Sequence, residues 1–136
     1  MFVKPKMLAT SVLALSLATT TARAEDIKMG AIAVLEGAFA VLGEDSMRGV
    51  EMALEEFGYS AGGKSIELIK QSSDASPDSA VRGARKLVEQ DGVQILVGPL
   101  SGSEGIAIKD YSKTQPDVTF VNGSSGAQDT TLREPS

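Results

Sequence analysis

The chain has 136 residues, room for one domain of ordinary size. It contains no cysteine and no histidine, which removes disulfides, thiolate metal sites, cysteine nucleophiles, the commonest general base and the usual serine-hydrolase triad. A composition of 42% hydrophobic and 23% charged residues with a net charge of −5 describes a globular protein whose acid excess disfavours nucleic acid and anionic membrane surfaces as partners.

Residues 1–24 read as a secretory signal peptide. Lys4 and Lys6 make a basic start, residues 7–18 an apolar run, and Ala22-Arg23-Ala24 a small-x-small cleavage pattern. The apolar run is too short to span a bilayer comfortably. Its removal takes away three basic residues and no acidic one, leaving 112 residues with a net charge of −8, in keeping with a soluble protein outside the cytoplasm.

Residues 27–34 are almost continuously apolar, the pattern of a strand buried on both faces at the centre of a parallel sheet. A glycine-flanked loop over 35–43 follows, then a predicted helix from about Glu44 to Phe57. Met47, Val50, Leu54 and Phe57 fall on one face of that helix, and Gly58 is placed to end it. Residues 59–64 read as a turn, residues 65–70 as a strand with one wetter side, and residues 71–75 as a polar loop in which Asp74 serves the turn. Ser76-Pro77-Asp78 is a strong helix start: a cap, a proline at the first helical position and an acid in the first turn. That helix should reach about Gln90 and bury Val81, Ala84, Leu87 and Val88, with Arg82, Arg85 and Lys86 on its solvated face.

Residues 93–97 form a third apolar strand, followed by the loop 98–103 and a helix from Glu104 to about Lys113. Residues 118–121 make a fourth strand ending in the loop 122–127, and residues 128–136 show no clear period. The alternation of strands and helices predicts an α/β fold, a parallel sheet with helices on both faces joined by right-handed crossovers. Ligands of such sheets bind outside the carboxyl ends of the strands. Three loops lie there, 35–42, 98–103 and 122–127, all rich in Gly, Ser and Ala. None carries a nucleophile beside a base. The glycines at 98, 102 and 105 lack the Lys-Ser/Thr ending of a phosphate loop, and no dinucleotide fingerprint follows the first strand. Glu36 and Glu104 have no catalytic companions, so enzymatic chemistry is not expected. The serines at 101, 103, 124 and 125, gathered at two strand ends, suit a small ligand held by backbone and hydroxyl hydrogen bonds.

Several stretches, in order and at the right spacing, resemble a known family. They are residues 27–35 followed by Gly37-Ala38-Phe39-Ala40-Val41-Leu42-Gly43, then residues 48–56, 73–81, 84–88 and Ile95-Leu96-Val97-Gly98-Pro99. The chain resembles the N-terminal part of a periplasmic solute-binding protein of the branched-chain amino acid ABC transporter type. The resemblance implies two α/β lobes that close on a ligand, no cofactor and no metal, a monomer, and an ABC permease of the inner membrane as partner. It implies that Ser101, Gly102, Ser103, Ser124, Ser125 and Gly126 grip the ligand's α-carboxylate and α-amino group, and that Ala38 and Phe39 line its side-chain pocket. Three departures, Gly102 where the family often has Ser, the lack of a hydroxyl residue often found near Gly126, and Glu104 beside the anion site, open the choice of ligand from a branched-chain amino acid to another amino acid, an amide or an aromatic acid. The family's members are close to three times as long, so residues 25–136 are expected to form the first lobe only, as a weakly binding fragment. The alternative is a sensing module of a signalling receptor, which a transmembrane helix and cytoplasmic domain downstream would reveal.

Overall fold

The computed structural model describes residues 26–133. The expected signal peptide lies outside the described residues. Strand β1 (Ile27–Val34) leads through a 3-10 turn (Gly37–Phe39) into α1 (Ala40–Glu56). A short β2 (Ser60–Ala61) turns back into β3 (Lys64–Ser73). Helix α2 (Pro77–Arg85) continues as one π-turn (Lys86–Gln90). Then come β4 (Ile95–Val97), α3 (Gly102–Ser112), β5 (Thr119–Val121) and α4 (Gln128–Thr131).

The strand order is β2-β3-β1-β4-β5. Strands β3, β1, β4 and β5 run parallel, and β2 adds an antiparallel edge. Alternate residues of β1 serve two cores, as the two-residue strand period requires. On one side Ile32 packs with Ala80, Ala84 and Leu87 of the α2 segment and with Leu96, Ile108 and Tyr111. On the other Ala31 and Ala33 meet Met47 of α1, with Val50 and Leu68 at the margin. Helices therefore cover both faces, as the sequence pattern predicts.

Helix α2 starts where the sequence places it: Ser76 is the cap, its hydroxyl accepting from Ser79 N at 3.3 Å, with Pro77 first in the helix. Asp74 does serve the turn. Its carboxylate accepts from the backbone N–H and the hydroxyl of Ser76, at 2.9 and 2.5 Å, and these bonds hold its pKa below the usual carboxylate value. Other boundaries differ. Helix α1 begins four residues before the expected Glu44, so Glu44 and Asp45 are not in its first turn. The expected turn at 59–64 contains β2, and Gly62 and Gly63, both at positive φ, make the hairpin. The 128–136 stretch contributes α4.

Tyr111 anchors α3 against β5 and the α2 segment. Its ring meets Phe120 edge-on at 6.1 Å, and Arg85 lies 5.7 Å from the ring centre. Burial and the hydrogen bond its hydroxyl donates to Glu89 push its pKa up to about 12.

Candidate functional site: the carboxyl edge of the sheet

In the order β1-β4-β5 the carboxyl ends of three strands stand side by side, and their loops form one edge. The β4 and β5 loops are stitched together. Gly98 N donates to Val121 O at 3.1 Å, and Gly123 N donates to Gly98 O at 3.2 Å. Further along, Gly102 lies against Ala127.

Helix α3 opens directly on this edge, two residues before the expected Glu104. Ser101 is its cap: its hydroxyl accepts from Glu104 N at 3.4 Å, and the Glu104 carboxylate accepts from Ser101 N at 3.0 Å, a complete capping box. The N–H groups of Gly102 and Ser103, the first two helical positions, have no partner in the helix's own pattern. They sit at the positive end of an 11-residue helix, with the exposed Ser103 hydroxyl beside them. The Ser101 hydroxyl is half-buried and shared between the cap, Ala75 O and the Ser103 hydroxyl, the last two each at 3.4 Å.

Glu104 is fully buried, and each of its carboxylate oxygens already has a donor. One carboxylate oxygen accepts from the Ser73 hydroxyl at 2.5 Å, the other from Ser101 N. The charge that the sequence suggested might oppose an anion thus faces the interior of the fold.

In the β5 loop Ser124 and Gly126 are exposed. Ser125 is buried, its hydroxyl unpartnered and pressed on Gly105, where a Cβ would lie 2.1 Å away. The Asn122 side chain donates to Ser125 O at 3.1 Å and shapes the turn. Ala38 and Phe39 stand exposed in the 3-10 turn after β1, Phe39 with 54% of its surface in solvent. Behind the edge a largely apolar cavity of about 350 Å³ opens on the α1 face of the sheet, among Met47, Val50, Val97, Leu100 and Ser124. Among the described residues no group of three or more acidic, histidine or cysteine side chains is placed to hold a metal ion.

Sequence reading missed the roles of Ser73, Glu104 and Leu100. The capping-box spacing Ser101-x-x-Glu104 was the available signal for the second. Ser73 reaches the site only through packing between distant segments, whereas Leu100 lies within the loop 98–103 itself.

A strand-edge site of paired N–H groups and hydroxyls on a parallel sheet recurs in many folds, so relatives decide among them. The profile described as "Periplasmic binding protein" matches residues 26–135. The chain belongs to the periplasmic binding protein family. Its relatives include the Leu/Ile/Val-binding protein homolog 8 of Brucella abortus, 34% identical over 101 residues, which are 74% of this chain and 25% of that protein. A solute binding protein of an ABC transporter from Rhodopseudomonas palustris BisB5, solved with 3,4-dihydroxy benzoic acid, superposes with a TM-score of 0.73 at 26% identity, over 81% of this chain and 30% of that one. The branched-chain amino acid transporter substrate binding protein LivJ of Streptococcus pneumoniae, solved with isoleucine, gives 0.67 at 25% identity, over 74% and 29%. This periplasmic binding protein chain thus spans about a quarter of the length of the Brucella relative. These relatives are substrate-binding proteins, not enzymes.

Proposed function

We propose that residues 25–136 are the first lobe of an extracytoplasmic solute-binding protein that delivers a small carboxylate to an ABC permease, exported by the signal peptide over residues 1–24. The observation that carries this reading is the pair of free N–H groups on Gly102 and Ser103, flanked by the hydroxyls of Ser103 and Ser124, at the carboxyl edge of a parallel sheet. Two convergent N–H donors and a helix N-terminus suit a carboxylate without any cationic side chain. Phe39 and Leu100 offer apolar surface for the rest of the ligand. Isoleucine and 3,4-dihydroxybenzoate, found in two relatives, share this chemistry, a carboxylate on an apolar body. A second lobe closing over the edge would supply the remaining contacts and exclude water.

Thermal denaturation tests the reading. At about 10 mM ligand and a Kd of about 1 mM, binding adds about 1.4 kcal/mol, several degrees in Tm for a domain of this size. L-isoleucine or 3,4-dihydroxybenzoate should raise Tm by that amount, and L-isoleucinamide, which lacks the carboxylate, should not. Equal shifts with the amide, or none with any amino acid or aromatic acid, would overturn the proposal. A one-sided site should also bind no tighter than about 1 mM, so a micromolar Kd for this chain alone would refute the two-lobe clamp.

A further inference from the structure

We propose that Glu104 is a positioning residue of the carboxylate site: it braces the β4–α3 loop against the end of β3 and so fixes which donors the loop presents. The inference rests on reading that loop as the ligand site.

A fully buried carboxylate is costly unless its oxygens are satisfied. Glu104 meets that condition with two donors of different origin. The Ser101 N–H contact belongs to the capping box and would stabilise any helix start. The Ser73 contact does not: it comes from the last residue of β3, 31 positions earlier, and Ser73 is itself 1% exposed. A second tie joins the same two segments, from the Ser101 hydroxyl to Ala75 O at 3.4 Å. Ala75 holds a φ of 71°, uncommon for alanine, between Asp74 and Ser76, which are bonded to each other. The β3–α2 turn is thus a stiff abutment, and Glu104 is the strut between it and the loop.

The strut has a chemical consequence. It engages Ser101 N–H, and the Ser101 hydroxyl points its proton at Ala75 O or the Ser103 hydroxyl, so the donors left for a ligand are Gly102 N–H, Ser103 N–H and the Ser103 hydroxyl. Without it, Ser101 N–H is released and the first turn of α3 loses its fixed direction.

The test compares Glu104→Gln, Glu104→Leu and Ser73→Ala in the full chain by amide hydrogen exchange and by 15N NMR with L-isoleucine and 3,4-dihydroxybenzoate as probes. Glutamine can accept from Ser101 N–H and donate to the Ser73 oxygen once that hydroxyl turns. It should keep Ser101 protection and probe affinity within about twofold of the parent. Leucine fills the volume without either bond. It should speed Ser101 exchange about tenfold, move the Gly102 and Ser103 resonances and weaken probe binding severalfold. Ser73→Ala, which cuts only the tie to β3, should also speed Ser101 exchange and decides the matter if the leucine variant does not fold. Parent-like Ser101 exchange in Ser73→Ala or Glu104→Leu, or a glutamine variant as damaged as the leucine one, would overturn the proposal. If the parent responds to neither probe, the ligand reading fails, while Ser101 exchange and the Gly102 and Ser103 resonances still decide whether Glu104 sets the loop.

Discussion

Gly43→Ala should leave little folded protein at room temperature. Helix α1 crosses the end of β1 at Gly43, where a Cβ would stand 1.7 Å from Val34 O and 2.5 Å from Val34 C. Both obstacles are backbone, and Val34 is fully buried in the parallel sheet, so neither can step aside. The helix would have to lift, pulling Met47 from its packing on Ala31 and Ala33. A loss of at least about 4 kcal/mol is expected, at the top of the range for single substitutions and a large part of a typical domain's total stability. Gly49 in the same helix is the internal control. Nothing lies within 4 Å of its Cβ position, so Gly49→Ala should stabilise the protein by about 0.5–1 kcal/mol through helix propensity alone. Urea denaturation of the two variants, with m unchanged for Gly49→Ala, checks both directions.

Gly98→Ala should cost about 3 kcal/mol or more and disturb the site as well as the fold. Gly98 has a φ of 126°, and its Cβ would fall 2.2 Å from Ile32 O in the middle of β1. Backbone strain of about 1–3 kcal/mol adds to overpacking of similar size. Relief requires β4 to move away from β1, and Gly98 also bonds to Val121 and Gly123, so the β5 loop with Ser124 would follow. Gly126, exposed and with nothing near its Cβ position, should accept alanine within about 0.5 kcal/mol. The difference in denaturation midpoint between the two alanine variants measures the effect.

Most of the scaffold was legible in the sequence because its signals are local. The apolar runs of β1 and β4, the Ser76-Pro77 start and the stop at Gly58 each depend on neighbours within a few residues. What escaped depends on distant contacts or on a local rule left unused. The segment 35–43 looked like a glycine-flanked loop, yet Gly43 is there because α1 crosses β1, a meeting no local window shows. The hairpin at Gly62-Gly63 and the capping box at Ser101 were within reach of turn and cap rules. That the loops after β1, β4 and β5 gather at one edge followed from the alternation of strands and helices, but the serines on it looked equivalent. The fold distinguishes them: Ser101 caps a helix, Ser125 is buried on Gly105, and Ser103 and Ser124 stay exposed. Family resemblance supplied the idea of a two-lobed clamp, which periodicity cannot.

A 15N NMR titration of this chain with L-isoleucine and 3,4-dihydroxybenzoate tests the central claim most directly. At least one of them should shift the Gly102, Ser103 and Ser124 amides together and saturably in the millimolar range, with no such response to the corresponding carboxamide. Shifts centred elsewhere, for instance in the groove between α2 and α3 around Arg82 and Arg85, or the same response to acid and amide, would contradict the assignment of this edge as a carboxylate site.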